Sequence, residues 1–276
     1  MTNLDESYLG LISSVLAEGA ARETRAGPTR QVFGAGLVID CMRKGRFPII
    51  TSRKIFWKPV LGELAAFLRG AIDLKTFKDF GCNYWDANAN AWEYNQRPGL
   101  DKKYVGQIYG AQWRKWQMYD DCDQLTRLVS DLKTNPGSRR HLLTAYDPYQ
   151  DWQCLPPCHL MAQFNVDNDN YLDCAVYMRS VDLCLGLPSD IILYATLMLL
   201  VGQETGYKPG NLIFMLGDTH IYENHIDIFK KQRTSPTFEL PTWELDPNAT
   251  INNFVPEHLN LVNYTHGEKL EYPFAT

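Results

Sequence analysis

Nowhere in the chain do two cysteines stand at Cys-x-x-Cys spacing, although there are seven: Cys41, Cys82, Cys122, Cys154, Cys158, Cys174 and Cys184. An odd number without paired spacing argues against a zinc site and a disulfide framework. It fits reduced thiols in a cytoplasmic setting. A basic excess is missing as well. The net charge is −5, so the chain lacks the positive footprint of a nucleic-acid binder and keeps room only for a local patch suited to a small phosphate. No apolar run reaches the roughly 18 residues of a membrane span. The longest, residues 191–202, contains Tyr194 and Thr196 and reads as a buried helix. The first residues carry no basic segment followed by an apolar one, so no secretory leader is expected. Repeats, low-complexity tracts and linkers are also absent, and residues 1–276 read as one domain.

What is present has a mixed periodicity. Residues 4–18 have helical spacing, with Leu4, Leu11, Val15 and Leu16 expected on one face. Residues 60–69 read as an apolar helix closed by Gly70, and residues 123–133 as an amphipathic helix stopped by Asn135-Pro136-Gly137. Strands are expected at residues 31–40, 142–146, 160–166, 172–177 and 211–216, with a hairpin turn at Asp167-Asn168-Asp169-Asn170. Residues 191–203 form the most apolar helix and are expected at the molecule's centre. The fold class is α+β, richer in strands in its second half.

Five groups of residues could carry chemistry. In Leu155-Pro156-Pro157-Cys158-His159, two prolines stiffen the chain before a cysteine, which aims a thiol in one direction. Nearby arginines would lower its pKa and favour the thiolate. The bland alternative is a buried structural cysteine. Arg25, Arg139-Arg140 and Arg179-Ser180 stand in loops or at expected strand ends. Arginine forks match phosphate oxygens; each pair alone reads first as surface charge, and it is several of them together, one beside a serine, that point to a phosphate pocket. Gly217-Asp218-Thr219-His220-Ile221-Tyr222 is either a polar turn or a set of donors for a sugar. Asp182 and Asp190 flank Leu185-Gly186-Leu187-Pro188-Ser189, and Asp190 could serve only as a helix N-cap. Glu63 is the sole acid on an apolar helix face and needs a partner or a task.

In this order, together with Tyr84-Trp85-Asp86 and Gln107-Ile108-Tyr109-Gly110-Ala111-Gln112-Trp113, these segments resemble the thymidylate synthase superfamily from Arg25 to the C-terminus. The resemblance implies a large bent mixed sheet with helices, dimerised sheet against sheet, in a single catalytic domain. It implies that Cys158 adds to carbon 6 of a pyrimidine, that Glu63 organises water and moves protons, and that Tyr109 and His159 line the water network. Arg25, Arg179 and Ser180 would hold phosphate, with Arg139 and Arg140 crossing from the second subunit. His220 and Tyr222 would hold the sugar. Trp85, Asp182, Leu185, Gly186, Ser189 and Ala275 would contact the cosubstrate, 5,10-methylenetetrahydrofolate. No metal is implied.

The chain departs from the family pattern where Gly-Leu-Pro is followed by Ser189-Asp190 instead of Phe-Asn. The family's Asn reads the uracil edge. A carboxylate can accept from the amino group of cytosine and from its ring nitrogen once that is protonated, but it meets the uracil carbonyl lone pair to lone pair. Such a buried mismatch costs about 1–3 kcal/mol. Asp at this position resembles the deoxycytidylate hydroxymethylases, and Met178, where synthases usually carry Gln, points the same way. Ser189 in place of an aromatic would admit water to the folate wall, and Thr276 replaces the usual aliphatic terminus. The expected reaction converts dCMP to 5-hydroxymethyl-dCMP. Methyl transfer to dCMP, thymidylate synthesis from dUMP, a ribonucleotide substrate and a non-catalytic nucleotide-binding relative stand as alternatives.

Overall fold

The computed structural model describes residues 4–274 apart from Asp101 and Asp120, so Ala275 and Thr276 lie outside the described residues. In chain order the elements are α1 (Leu4–Glu18), β1 (Ala20–Arg22), β2 (Thr29–Ile39), α2 (Lys58–Leu68), α3 (Leu74–Asp79), α4 (Asp86–Ala91), α5 (Gly110–Arg114) and α6 (Gln124–Thr134). They continue with β3 (Leu142–Thr144), β4 (His159–Val166), β5 (Tyr171–Asp182), α7 (Gly186–Thr205), β6 (Lys208–Tyr222), α8 (Ile226–Arg233), β7 (Thr242–Leu245) and β8 (Leu259–Val262).

Six strands form one sheet in the order β1-β2-β6-β5-β4-β3, and β7 pairs with β8 separately. Among the described residues only β5 and β6 run parallel; their neighbours are antiparallel. A parallel pair needs a crossover, and α7 supplies it. Among the described residues α7 is the one helix long and apolar enough to cross a membrane, yet most of its side chains are buried inside the fold. It packs against β5, β6, α2 and α6, so a helix that is apolar on all sides finds apolar neighbours on all sides.

Several expectations are refined. The buried stripe of α1 is Leu4, Tyr8, Ile12 and Val15, whereas Leu11 and Leu16 are only half-buried. This stripe also carries Asp5, fully buried, whose carboxylate accepts from the backbone N–H groups of Thr51 and Ser52 and from the Thr51 hydroxyl. Asp123 is the N-cap of α6 rather than its first residue, accepting from the Thr126 N–H. The central strands run further than their apolar cores suggest. Gly217–Tyr222 is not a polar turn but the end of β6, because its backbone pairs with β2 on one side and β5 on the other. Arg179 lies within β5, not beyond its end. Asp190 is not an N-cap: α7 begins at Gly186 and carries Asp190 inward in its second turn. Pro188 is tolerated because the first turn of a helix has no N–H partners to lose.

One face of the sheet is the core face, lined by Leu37, Ile39, Leu212 and Phe214. On the other face Val38 is 65% exposed and Met215 43% exposed, and Met215 stands in register with Gly36 and Tyr177.

Truncating the core helix tests its weight. Leu197→Ala, at a fully buried position of α7, is expected to cost about 2–5 kcal/mol. Urea unfolding should show this as a lower midpoint with an unchanged slope.

Candidate active site

The C-terminal end of β5, the first turns of α7, the end of β6, α2 and the turn before β4 converge on one cavity of about 780 Å³. This lies within the range of sites that enclose whole small ligands, roughly 300–1,000 Å³. Most sequence-derived residues meet here: Arg25, Glu63, Trp85, Tyr109, Cys158, His159, Arg179, Ser180, Asp182, Leu185, Gly186, Ser189, Asp190, His220 and Tyr222 all line it. Arg139 and Arg140 do not. They follow the turn after α6 and are exposed on the surface of the same chain.

Cys158 sits just before β4. Its N–H donates to the Tyr109 hydroxyl at 2.8 Å. Tyr109 adopts φ 31°, a left-handed conformation uncommon for a side chain of this size. The strain is retained at the very residue that holds the cysteine turn, the pattern of backbone kept for function. The close approach of α5 to α2 depends on Gly110, where a Cβ would lie 2.1 Å from the Phe67 carbonyl.

Arg179 clamps the same turn from β5. Its Nε donates to the Pro157 carbonyl and its Nη2 to the Pro156 carbonyl, both at 2.7 Å, and Nη2 reaches within 3.9 Å of Cys158 Sγ. The expected lowering of the thiol pKa is only half met. Burial pushes the Cys158 pKa up, Arg179 pulls it down, and burial wins. A bound anion or developing charge would have to complete the activation.

Three further groups are set by desolvation. The Glu63 carboxyl is raised to about 7 by burial, opposed by the hydrogen bond it accepts from Trp85 Nε1 at 2.8 Å. The partner that a lone acid on α2 requires is thus Trp85. His159 is pushed down to about 3 by burial and stays neutral. Its ring stacks on Tyr109 with centroids 3.9 Å apart, its Nδ1 lies 2.7 Å from the Tyr194 hydroxyl, and its Nε2 lies 3.7 Å from Asp190 Oδ1. Asp190 is raised well above the carboxylate range by burial and by the nearby Glu63 and Asp182 charges.

The cavity lining combines two chemistries. Arg25, Arg179 and Ser180 supply cationic and hydroxyl donors suited to a phosphate. Beyond them His220 Nδ1 pairs with Asp218 Oδ1 at 2.8 Å, and the Tyr222 ring meets His220 edge-on. Trp85, Leu185 and Phe274 add apolar lining, with Asn88 and Asp182, the latter in register with His220, as further polar points. A flat heterocycle carrying ring nitrogens fits that mixture, so the donor set accommodates a reduced folate. Ser189 lines the cavity, with its hydroxyl turned back to the Leu185 carbonyl. Asp182, Cys184 and His225 bring metal-type ligand atoms within 4.8 Å of one another. Asp182 Oδ1 is already engaged by the Cys184 N–H, and burial holds the Cys184 thiol well above its ordinary pKa, in its protonated form.

Sequence reasoning missed Tyr194, Asn88 and Phe274. Asn88 lies one turn beyond Trp85, so spacing could have found it. Tyr194 is four residues beyond Asp190, one helical turn, a signal masked by the apolar run around it.

The family model described as thymidylate synthase matches residues 6–276. A bifunctional dihydrofolate reductase-thymidylate synthase of Paramecium tetraurelia is 35% identical over 98% of this chain. The chain spans about 61% of the length of that relative.

Glu63 yields a measurable consequence. A carboxyl whose pKa rises from 4.5 to about 7 on folding binds more protons in the native than in the unfolded state, so stability falls as pH rises through that window. Glu63→Gln is expected to flatten this slope and to be more stable at pH 8 by up to about 3 kcal/mol. Denaturant unfolding of both proteins at pH 5 and pH 8 checks it.

Proposed function

This chain belongs to the thymidylate synthase family, and on that premise we propose that it transfers a one-carbon unit from 5,10-methylenetetrahydrofolate to carbon 5 of dCMP, releasing 5-hydroxymethyl-dCMP. The family reaction, one-carbon transfer from that folate to carbon 5 of a pyrimidine nucleotide, uses no metal. The observation that carries the finer reading is Asp190, a carboxyl on the cavity floor beside His159 in the place where the family's base-reading amide is expected.

In this reading Arg25, Arg179 and Ser180 hold the phosphate, and His220 and Tyr222 hold the sugar. Cys158 Sγ bonds to carbon 6, and the electron pair of the 5,6 double bond moves toward carbon 5. Negative charge that develops on the base is met by proton transfer from the neutral Asp190 carboxyl to the ring nitrogen it faces, and the resulting carboxylate accepts from both that N–H and the exocyclic amino group. Bound methylenetetrahydrofolate supplies the electrophilic carbon. Glu63, with a pKa near neutrality, is suited to take up and return protons through water. Ser189, smaller than the aromatic it replaces, leaves space for water beside the apolar wall, so hydration ends the reaction in place of hydride transfer. The seven unpaired thiols suit a reducing, cytoplasmic setting.

A second reading has its own support. Burial favours the neutral form of Asp190. A neutral carboxyl has one acceptor and one donor, as an amide does, and can pair with the uracil edge, which would make dUMP a substrate.

The homodimer forms part of the proposal. Val38, Met215 and Tyr177 present an exposed apolar strip on the sheet face away from the core, of the kind a second sheet covers. Arg139 and Arg140 are exposed and remote from their own cavity, which suits arms that complete a partner's phosphate site.

Product mass spectrometry with dCMP, CMP and dUMP in turn, each with methylenetetrahydrofolate, tests the reaction. Hydroxymethyl-dCMP with tetrahydrofolate is the expected outcome; turnover of dUMP alone would sink the assignment of Asp190. Asp190→Asn is expected to move the ratio of kcat/KM values toward dUMP by about 10–100-fold. Subunit mixing tests the arms. Cys158→Ser and the double variant Arg139→Ala, Arg140→Ala should each be nearly inactive. Refolded together they should recover up to about a quarter of wild-type activity, since half the dimers are hybrids with one intact site.

A further inference from the structure

We infer that Asp218 is a positioning residue for recognition of the sugar: it holds the ring proton of His220 on Nδ1, leaves Nε2 as a bare acceptor in the cavity, and so makes the site read the 3′-hydroxyl of the nucleotide as a hydrogen-bond donor. The inference rests on the reading of this cavity as a nucleotide site with His220 and Tyr222 at the sugar. It does not depend on which base the site takes.

Five side chains from three strands share one side of the sheet. Asp218, His220 and Tyr222 alternate along β6. Gln31 on β2 stands in register with His220, and Arg22 on β1 stands in register with Thr29, two residues before Gln31. Diagonal neighbours of this kind lie within reach of long side chains. The two ends of an amide are told apart by their partners. Here the Gln31 NH2 donates to the Asp218 carboxylate, and the Gln31 oxygen accepts from Arg22 Nε at 3.0 Å. His220 Nδ1 meets the same carboxylate at 2.8 Å. The row from Arg22 through Gln31 thus fixes Asp218 where the imidazole ring meets it.

A carboxylate only accepts, so the Nδ1 that meets it carries the hydrogen. In the neutral ring this leaves Nε2 with a lone pair. Among the described residues neither Nε2 of His220 nor the hydroxyl of Tyr222 has a protein partner, and neither is sealed away as a buried atom. Both residues line the cavity, and their rings meet edge-on with centroids 5.2 Å apart. An acceptor and a phenol that can donate therefore stand side by side. One sugar hydroxyl satisfies both, donating to His220 and accepting from Tyr222. A substituent with lone pairs and no hydrogen meets Nε2 lone pair to lone pair. Sites built to hydrogen-bond a hydroxyl reject analogues lacking it far more strongly than pockets that only enclose it. Without Asp218 the ring is free to carry its proton on Nε2, and the demand for a donor is lost.

Two measurements test this. Long-range proton–nitrogen NMR of the nucleotide-free protein is taken at about pH 8.5, above the range in which a free imidazole charges. It should show His220 protonated at Nδ1 and bare at Nε2, and in Asp218→Ala the proton should appear on Nε2. A wild-type proton on Nε2, alone or together with one on Nδ1, would overturn the inference. This readout needs no substrate. The second measurement compares each 2′-deoxynucleoside 5′-monophosphate with its 3′-fluoro analogue, in the cytosine and the uracil series, with methylenetetrahydrofolate. Wild type should favour the hydroxyl by about 100-fold or more in kcat/KM, and Asp218→Ala should cut that preference at least about tenfold. The KM for the folate should change by less than about twofold. The Asp218 side chain is 36% exposed, so its truncation leaves the core intact. In a His220→Ala background Asp218→Ala should leave the hydroxyl preference unchanged. A purely structural role would slow both analogues equally and keep their ratio; that result, or a wild type indifferent to the fluorine, overturns the inference. If only the uracil series is turned over while the hydroxyl preference depends on Asp218 as stated, the dCMP reading fails and the role of Asp218 stands.

Discussion

The burial of α7 between α2, α6 and the parallel strands β5 and β6 is the constraint on which the site depends. A parallel pair in an otherwise antiparallel sheet needs a crossover, and a twenty-residue apolar helix is the connection this chain provides. Once its sides are enclosed, its first turns have one place to go, the space beneath Cys158 and His159. Ser189, Asp190 and Tyr194 are therefore delivered to the reacting region by the same packing that stabilises the core.

Desolvation then does most of the chemical tuning. The groups around the cavity are few, enclosed and weakly compensated by charge. Among the described residues Glu63 accepts from one indole N–H, His159 meets one phenol hydroxyl, and Cys158 has the Arg179 guanidinium at 3.9 Å and the Tyr109 hydroxyl. Each is consequently held nearer its neutral form than it would be in water. A site kept neutral at rest suits a reaction in which charge appears only when the nucleotide arrives. Arg179 illustrates the economy: two of its hydrogen bonds hold the proline turn, and the remaining face is directed toward the thiol and the phosphate end.

The periodic parts of the fold were legible from the sequence for plain reasons. The first helix coincides with its periodic segment, Leu4–Glu18, and α2 and α6 agree within two residues, because their apolar spacing and their Gly or Asp punctuation all agree. The strands β5 and β6 were placed correctly but cut short, whereas the strand expected at residues 142–146 already ends at Thr144. Arg179-Ser180 and Asp218 to Tyr222 are polar, and polarity at a strand end reads as a turn unless one knows that the partners β2, β5 and β6 continue beside it. The Gly-Leu-Pro-Ser-Asp segment misled in the same way. Two helix breakers suggested a start at residue 191 with Asp190 as its cap, whereas a first turn accommodates both.

The sequence by itself determined the inventory: a cysteine stiffened by two prolines, a lone acid on an apolar helix, arginines beside a serine, and an Asp in place of an expected Asn. These follow from residue type and order, which need no coordinates. Tertiary structure alone decided how the inventory behaves. It placed a tyrosine from the most apolar stretch against His159, turned Arg179 inward and left Arg139 and Arg140 outside. It also made burial outweigh the arginine at Cys158. Those outcomes depend on distance and on the exclusion of water, and neither quantity is carried by residue order until the sheet has closed on its helix.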